Sequence, residues 1–276
     1  MPPTRATHDD SLGTQLRTLA SDLAVRAGEL IRSGRESGVG AVETKSSATD
    51  MVTMFDRASE QLIVGALGEH RPNDGVVGEE GTSVSGTSGV DWLIDPIDGT
   101  TNFFYGLPGY AVSIAARDEY GSLVGAVFVP ATNELFSAAR GAGATLNGSR
   151  ITCSTTTSLR HALLATGFSY HPELRRQHMR RLQHIIGEVR DIRRFGAAAV
   201  DLCHVAAGRV DAYFEENLGP WDLAAGELIA REAGCISGDL QGGAVRPSQV
   251  LVANPTLFEP LRELINDADA LAALTQ

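Results

Sequence analysis

The chain has 276 residues, of which 43% are hydrophobic, so it can bury a substantial core as one large domain or two smaller ones. Its formal net charge of −11 argues against a broad nucleic-acid surface, because neutralising phosphates requires clustered Lys and Arg. No apolar run approaches the roughly 18 residues that cross a bilayer, so a membrane partner is not expected.

Two further features indicate the cellular compartment. Cys153, Cys203 and Cys235 are few, odd in number and without metal-type spacing. Residues 1–11 are polar and lack the apolar stretch of a secretory signal. Both features predict a protein of the reducing cytoplasm.

The amino-terminal part of the chain has the pattern of two amphipathic helices. Apolar residues recur at three- and four-residue steps over residues 12–31, a helix that Gly34 can end. After a Gly-rich connection and residues 44–53, the apolar positions of residues 55–67 predict a second helix that carries Asp56 on its first turns. An Asp at this position can simply complement the helix dipole.

A pair of acids follows the second helix. Residues 76–80 predict a short strand that ends in Glu79 and Glu80. Because side chains alternate along a strand, the two acids should point to opposite faces, and only one should be a direct ligand of a metal. Residues 82–89 are Gly, Ser and Thr with one Val, which predicts a mobile loop.

The central stretch of the sequence is residues 91–103, DWLIDPIDGTTNF. Its apolar residues 92–94 predict a buried strand, which Pro96 should end because it has no N–H to donate and a fixed φ. Gly99 and Thr100 then stand where a helix can start.

Two carboxylates leave this strand together. Asp95 and Asp98 lie either side of the Pro-Ile turn, close enough to face one point, and Gly99 and Thr100 supply free backbone N–H groups beside them. Carboxylates next to free N–H groups suit a divalent cation that holds a phosphate. An isolated D-P-x-D-G segment is also an ordinary surface turn, and this alternative stays open at the level of the segment alone.

The middle of the chain predicts β-structure. Three runs rich in β-branched or aromatic residues, 110–117, 123–129 and 134–138, predict a meander of antiparallel strands. The composition shifts near residue 150. We therefore expect an amino-terminal α+β half, residues 1–150, and a carboxy-terminal α/β half, residues 151–276.

The second half begins with a predicted strand, residues 161–168, and a helix, residues 172–189, with Pro172 at its first turn. The Arg-rich run 175–181 on this helix is typical of a solvated face, and an anion or partner site is the alternative. The last predicted elements are a strand, 250–254, and an amphipathic helix, 255–265.

Three more elements lie between these. Gly196 precedes an Ala-rich helix, residues 197–208, whose small side chains permit close packing of another segment or of a substrate. Residues 210–215 predict a strand. Residues 221–233 predict a helix, in which Asp222 can act as a cap worth about 1 kcal/mol.

Four elements occur in the following order along the chain: Asp56, the pair Glu79-Glu80, the D-P-I-D-G-T segment from Asp95, and the W-D-L-A-A-G segment at residues 221–226. In these residues the chain resembles the inositol monophosphatase family of Mg²⁺-dependent, lithium-sensitive phosphatases. The resemblance spans about residues 45–234. It implies a mixed α/β fold, a layered αβαβα sandwich of the sugar-phosphatase type, and a homodimer.

The resemblance also implies a set of metal ligands. Glu79, Asp95 and the main-chain carbonyl of Ile97 would hold one Mg²⁺, while Asp95, Asp98 and Asp222 would hold a second. Asp95 would bridge the two ions, and the family pattern gives two or three ions per site. Hard oxygen ligands of this kind favour Mg²⁺ over Zn²⁺.

Further roles follow from the same resemblance. Glu79 is a ligand of the ion that activates the attacking water. Thr100 and Asp56 orient that water. The backbone N–H groups of Gly99 and Thr100 hold the phosphate. The remaining substrate contacts fall to Asp98, Gly196, Ala198, Glu215, which binds sugar hydroxyls, and Asp222.

The expected reaction is hydrolysis of a small-molecule phosphate ester by metal-activated water. The expected substrate is inositol monophosphate. Superfamily members act on fructose 1,6-bisphosphate, phosphoadenosine phosphate or histidinol phosphate with the same metal residues. Glu215 and the Ala run at 197–199 favour inositol without deciding the matter. The remaining alternative is a mainly regulatory binding protein with a secondary phosphatase site.

Overall fold

The computed structural model describes residues 6–36, 42–44 and 51–274, with side chains described over 12–36 and 54–274. Residues 1–5, in the polar amino terminus, 37–41, in the predicted Gly-rich connection, 45–50 and 275–276 lie outside the described residues. The helices are α1 (Ala6–Glu36), α2 (Met54–His70), α3 (Thr100–Tyr105), α4 (Pro172–Ile185), α5 (Ala198–Ala206), α6 (Pro220–Glu232) and α7 (Phe258–Ala273). The strands are β1 (Val42–Thr44), β2 (Met51–Thr53), β3 (Gly75–Gly78), β4 (Ser83–Val84), β5 (Asp91–Asp98), β6 (Ala111–Asp118), β7 (Gly121–Val129), β8 (Glu134–Ala139), β9 (Gly143–Leu146), β10 (Ser149–Arg150), β11 (Leu163–Thr166), β12 (Asp191–Arg193), β13 (Ala212–Glu215), β14 (Ile236–Gly238) and β15 (Val250–Ala253).

The first sheet has eight strands in the order β10-β9-β8-β7-β6-β5-β3-β4. Strands β5 to β10 pair antiparallel in chain order, and β6, β7 and β8 among them are the predicted meander. Strand β3 pairs with β5 in parallel. Helices α1 and α2 cover one face of this sheet, where Leu16, Ile63 and Trp92 belong to one buried cluster. The alternation of strand residues between two faces leaves a second apolar face for other helices.

That second face packs against α5 and α6. A single buried cluster contains Val127 of β7, Leu202 of α5, Ile229 of α6 and Tyr213 of β13. Gly125 of β7 lies against the backbone of α6, where a Cβ would come within 2.8 Å of main-chain atoms of Ala225. The central helices therefore touch both a strand of the first sheet and a strand of the second.

The second sheet has five strands in the order β12-β11-β13-β15-β14. Strand β11 is parallel to β12 and β13, and β15 is antiparallel to its neighbours. Its outer face is covered by α4 and α7 through Ile185, Leu261 and Ile265. The layers are thus helices, sheet, helices, sheet, helices, which confirms the predicted αβαβα sandwich.

The strands of the first sheet end at Arg150 and those of the second begin at Leu163. The central helix layer shares its core with both sheets. The division into two halves near residue 150 stays a prediction, because shared packing of this kind can join two folding units or belong to one.

Helix boundaries differ from the predictions at both ends of the chain. Helix α1 continues through Gly34 to Glu36, so the predicted end was wrong. The Phe55 ring lies against Gly34, where a Cβ would overlap it, and this contact explains the glycine. Helix α7 begins three residues later than predicted, because the Asn254 side chain accepts the N–H groups of Thr256 and Leu257, both at 3.0 Å, and holds a turn.

Helix α7 also runs eight residues beyond the predicted end at 265. The elements predicted at 161–168, 172–189, 197–208 and 210–215 are present as β11, α4, α5 and β13, each somewhat shorter. The helix predicted at 221–233 is present as α6, with the same length and one residue earlier. Pro172 occupies the first turn of α4 as expected.

Two local predictions around the acids were also wrong. Glu79 and Glu80 lie in a turn after β3 and are not strand residues. The predicted loop at 82–89 contains β4, which pairs with β3. Strand β4 has only two residues, at the edge of the sheet. It lies within a segment rich in Gly, Ser and Thr, so the sequence carries a weak strand signal.

The Arg-rich run on α4 is only partly a solvated face. His178 and Arg181 are buried, whereas Arg176 is exposed and pairs with Glu173 on the same helix. The solvated-face prediction therefore fails for two of its members. Across the part of the chain that the structure describes, no helix combines the length and apolar character needed to cross a membrane.

Candidate active site

A bulge in β5 places two acids together. In a regular strand, residues three apart point to opposite faces. Strand β5 pairs with β6 at Asp95 and again at Asp98, and between these pairs Pro96 and Ile97 lie opposite a single residue of β6. The extra residue changes the alternation and brings both carboxylates to one side. Pro96 therefore does not end the strand as predicted; it occupies the bulge, where a missing N–H costs no ladder hydrogen bond.

Asp222 completes a cluster of three carboxylates. Oxygen atoms of Asp95, Asp98 and Asp222 all lie within 4.8 Å of one another. Asp222 stands in the first turn of α6, and its Oδ2 accepts the N–H of Gly219 at 2.7 Å. The capping role predicted from the sequence is therefore present, and the same side chain reaches the acidic cluster.

The other two carboxylates, Asp95 and Asp98, are also fixed by backbone N–H groups. Asp98 Oδ1 accepts the N–H of Ala198 at 3.1 Å, and its Oδ2 accepts that of Ala199 at 2.7 Å. Both donors lie in the first turn of α5, where helix N–H groups lack intrahelical partners. Asp95 Oδ1 accepts the N–H of Ile97 at 3.0 Å. The link from Asp98 to α5 was missed by sequence reasoning, since it joins residues 100 positions apart.

The Glu79-Glu80 turn separates its two acids. The N–H of Glu79 donates to Ile94 O at 3.1 Å, which continues the pairing of β3 with β5. Glu79 lines the same cavity as the three aspartates. The N–H of Glu80 instead donates at 2.9 Å to Glu60, a buried acid of α2 that also accepts the Thr82 hydroxyl at 2.6 Å. Only Glu79 of the pair faces the cavity, as expected, and Glu60 was not anticipated from the sequence.

Gly99 and Thr100 follow β5 and begin α3 as predicted. Gly99 has a φ of 82°, a left-handed conformation, and a Cβ there would lie 2.8 Å from Gly109 O and 2.9 Å from the Ala197 side chain. The Thr100 hydroxyl donates to Ile97 O at 3.1 Å. Glycine is therefore required at 99 both by backbone conformation and by space.

Asp56 lies on the first turn of α2, with no exposed surface. A buried acid in the first turn can still complement the helix dipole, so this role stays a prediction. Asp56 does not line the cavity that Glu79 and the three aspartates share. If it acts on the cavity, it acts from behind the lining side chains.

The electrostatics of the cluster fit a divalent cation. Burial, followed by the charges of Glu79, Asp98 and Asp222, raises the pKa of Asp95 well above its ordinary value. Burial and the charge of Asp222 likewise raise the pKa of Asp98, against the opposing N–H donors of α5. Carboxylates that repel one another in this way are stabilised by a cation, and an all-oxygen donor set suits Mg²⁺.

A cavity of about 100 Å³ opens in front of these acids. The predicted substrate residues Gly196, Ala198 and Glu215 line it together with the acids. Burial raises the pKa of Glu215 to about 7, against a hydrogen bond from Tyr213 that lowers it. Sequence reasoning missed four further lining residues, which carry no motif of their own: Phe168, Tyr170, Arg194 and Leu218.

One spacing in the sequence suggests a different phosphatase chemistry. Cys203 and Arg209 have the Cys-x₅-Arg spacing of enzymes that use a thiolate nucleophile. Cys203 is fully buried within α5, and burial raises the pKa of its thiol well above the usual range. Arg209 Nη1 donates to Glu134 Oε2 at 3.0 Å. These two residues do not form a phosphate-binding loop.

The profile of the inositol monophosphatase family matches residues 13–270, which is nearly the whole chain. The chain belongs to the inositol monophosphatase family. This membership extends the resemblance beyond the four short motifs, to both sheets and to the helices around them.

Named relatives of this family member fall into two groups. It is 42% identical to the inositol-1-monophosphatase of Mycobacterium bovis over 259 residues, 86% of this chain and 89% of the relative. It is 41% identical to the Nus factor SuhB of Escherichia coli over 262 residues, 92% and 97% of the two chains. Among solved structures, the extragenic suppressor protein suhB of Bartonella henselae aligns with a TM-score of 0.86 at 36% identity, covering 91% of this chain and 98% of that one.

Proposed function

We propose that this chain hydrolyses inositol monophosphate to inositol and phosphate in a Mg²⁺-dependent reaction. The observation that carries the proposal is the convergence of Glu79, Asp95, Asp98 and Asp222 on one cavity. Mutual repulsion makes such a set unfavourable without a cation. Family membership supports a phosphatase, and the mycobacterial relative named inositol-1-monophosphatase supports the substrate.

The proposed ligand set is the one expected from the sequence. Glu79, Asp95 and the carbonyl of Ile97 would hold one Mg²⁺, and Asp95, Asp98 and Asp222 would hold a second; a third ion would complete the family pattern. Bound Mg²⁺ supplies a nucleophilic water at neutral pH and neutralises charge that develops on the phosphate. The backbone donors from α5 and from Ile97 hold two of these acids in place before any ion binds.

Thr100 is suited to orient the attacking water. Because its hydroxyl hydrogen is donated to Ile97 O, its oxygen is left as an acceptor toward a water in the cavity. Glu79 lies beside it in the cavity lining, and Asp56 would act from behind through solvent. The N–H groups of Gly99 and Thr100 would bind phosphate oxygens.

The remaining lining residues would receive the alcohol part of the substrate. Gly196 and Ala198 have little side-chain bulk, so they leave room for a ring beside Asp98 and Asp222. The Glu215 carboxylate would accept hydrogen bonds from ring hydroxyls. A polyol phosphate fits this combination of space and acceptors.

The test is phosphate release from inositol monophosphate, fructose 1,6-bisphosphate, phosphoadenosine phosphate and histidinol phosphate, with and without Mg²⁺. We expect Mg²⁺-dependent release, fastest with inositol monophosphate. Asp222→Asn should abolish turnover and retain the fold, since an amide can still accept the Gly219 N–H but is a weaker cation ligand. Near-normal hydrolysis by this variant would contradict the assignment.

One observation favours a second substrate class, an ester with two anionic groups. Arg194 is the one cationic side chain among the described residues that line the cavity. Within the described part of the chain it makes no ion pair, and one of its guanidinium nitrogens lies against Gly196. The charge of Arg194 lowers the pKa of Glu215, so the guanidinium also lies near this acid. A guanidinium at the rim of an acidic cavity suits the second phosphate of a bisphosphate substrate.

This alternative has its own prediction. Arg194→Ala should lower kcat/KM for fructose 1,6-bisphosphate by about tenfold or more, the value of a charge-assisted hydrogen bond, and leave inositol monophosphate within about twofold. The matched control is Arg193→Ala, an exposed neighbour that pairs with Asp191. Equal effects of Arg194→Ala on both substrates would exclude a second-phosphate role.

A regulatory binding role remains the rival from a different class, since relatives in this family are named Nus factor. A protein partner or RNA would then replace the small substrate. Loss of any stabilisation by Mg²⁺, together with no phosphate release from the panel, would favour that rival. A homodimer, a cytoplasmic location and inhibition by lithium through a Mg²⁺ site are further expectations of the proposed phosphatase.

A further inference from the structure

The carboxylate of Glu215 lies directly against the backbone of Gly167. Strands β11 and β13 are parallel neighbours in which Thr166 pairs with Phe214, so the next residues along, Gly167 and Glu215, adjoin each other. A Cβ built on Gly167 would overlap the Cδ and both oxygens of the Glu215 carboxylate. No side chain fits at 167 unless the carboxylate moves away.

A hydrogen bond from Tyr213 is a second contact that fixes the Glu215 carboxylate. The Tyr213 hydroxyl donates to Glu215 Oε2 at 2.5 Å, and Tyr213 has no exposed surface. The two residues are i and i+2 on β13, so their side chains share one face of the strand. A buried tyrosine hydroxyl requires an acceptor, and here the acceptor is the carboxylate at the cavity wall.

These contacts leave one oxygen of Glu215 for a ligand. Oε2 is held by Tyr213, whereas Oε1 accepts no hydrogen bond from any residue that the structure describes. Glu215 lines the cavity, so Oε1 can accept a hydrogen bond from a group that enters the cavity. A carboxylate held on two sides loses little further freedom when it binds a hydroxyl, which strengthens that bond.

We propose that Gly167 and Tyr213 are positioning residues that fix Glu215 as a hydroxyl acceptor and so select phosphate esters of polyols. This inference rests on the proposed function, in which Glu215 binds substrate hydroxyls. It adds two residues that touch no substrate themselves. Their effect should appear in the binding of a hydroxyl-bearing ester and not in the hydrolysis step.

The experiment compares inositol 1-phosphate with p-nitrophenyl phosphate, which has no ring hydroxyl, in variants Tyr213→Phe, Gly167→Ala and Glu215→Gln. Tyr213→Phe should raise KM for inositol 1-phosphate about fivefold, the worth of one hydrogen bond, and leave kcat within about twofold. Gly167→Ala should raise it at least as much, because the added methyl displaces the carboxylate. With p-nitrophenyl phosphate, kcat/KM should stay within about twofold of the unmodified protein.

Two further variants test whether the effect passes through Glu215. Tyr213→Phe added to Glu215→Gln should raise KM no further, because the group it positions has already been changed. Glu215→Asp added to Gly167→Ala should recover part of the lost affinity, since the shorter side chain clears the methyl. Matched controls are Tyr120→Phe, 79% exposed in the turn between β6 and β7, and Gly187→Ala, where no described atom lies within 4 Å of the new Cβ.

The outcomes distinguish a failure of the positioning roles from a failure of the proposed hydroxyl contact of Glu215. If KM for inositol 1-phosphate is unchanged both in Glu215→Gln, whose amide can still bond a hydroxyl, and in Glu215→Ala, which cannot, the proposed hydroxyl contact fails, and the positioning roles fail with it. If Glu215→Gln raises KM but Tyr213→Phe and Gly167→Ala behave as the unmodified protein, the positioning roles alone are wrong. Equal losses on both substrates would show a merely structural role and would also overturn the inference.

Discussion

At the scale of single residues, the thiols of Cys153 and Cys235 interact near the end of α6. The N–H of Cys153 donates to Ala233 O at 3.0 Å, which holds the segment after β10 against this helix end. A hydrogen bond from the Cys235 thiol lowers the pKa of Cys153 to about 7. Cys153 is half-buried, whereas Cys203 is fully buried in α5. The sequence spacing of the cysteines predicted neither their contact nor their difference in burial.

We predict that Cys153 reacts first with iodoacetamide at neutral pH. A thiol with a pKa of about 7 is half thiolate there, and the thiolate is the nucleophile. Cys235→Ala should slow the labelling of Cys153, because its pKa then returns toward 9, the ordinary value. Labelling rates against pH, followed by mass spectrometry of the peptides, measure both effects. An unchanged midpoint for Cys153 in Cys235→Ala would refute the hydrogen-bond explanation.

At the residue scale, short motifs predicted which acids meet but not what holds them. Asp95 and Asp98 belong to one motif, and Asp222 to another, so their chemistry is visible in local sequence. Their fixing donors are not, because the N–H groups of Ala198 and Ala199 reach Asp98 only after α5 packs against the first sheet.

At the scale of elements, a partly buried ion network ties α4 and α7 to the end of β13. Arg181 of α4 bonds Glu216, directly after β13, at 2.8 Å and Asp269 of α7 at 2.6 Å. His178 Nε2 lies 3.3 Å from the same oxygen of Glu216. Burial alone would raise the pKa of Glu216, but the hydrogen bonds from His178 and Arg181 outweigh it and lower the pKa to about 2.

This network predicts a pH-dependent contribution to stability. The folded pKa of Glu216 lies below its ordinary value of 4.5, so the carboxylate stabilises the fold fully above pH 4.5 and loses this effect as the pH falls through about 2. Relative to Glu216→Gln, the unmodified protein should be more stable at neutral pH by an amount on the order of 2–3 kcal/mol, falling to less than about half by pH 3.

Urea denaturation of both proteins across this pH range measures the difference. Glu173→Gln is the matched control. Glu173 is exposed on α4 and forms a surface ion pair with Arg176 of the same helix. An exposed pair of this kind contributes little, so its difference should stay near zero at every pH. A constant difference for Glu216→Gln across the range would contradict the shifted pKa.

Elements with a strong local pattern were predicted well, and their irregularities were not. The meander β6 to β8 and helices α2, α4, α5 and α6 follow their periodicity closely. The β5 bulge depends on its register with β6, which no local pattern encodes. The end of α1 depends on Phe55 packing over Gly34, and the burial of Arg181 depends on acids 35 and 88 residues away.

At the scale of the whole molecule, the acidic cluster lies where layers of the sandwich meet. Asp95 and Asp98 belong to the first sheet, and Asp222 belongs to the central helix layer. Without a cation, their repulsion acts between these two layers. With a cation, the same groups hold the layers together, so ion binding should stabilise the entire fold and not only the site.

We therefore predict that Mg²⁺ raises the melting temperature of metal-stripped protein by several degrees, since ligand at 100 times Kd contributes about 2.7 kcal/mol. Asp222→Asn should melt no lower than the unmodified protein without Mg²⁺, because one repelling charge is gone, and should gain less than about half the shift when Mg²⁺ is added. Asp267→Asn, on the exposed side of α7, should keep the full shift. Equal shifts in all three proteins would place the stabilising ion elsewhere, and no shift in any would favour the regulatory binding role over the phosphatase.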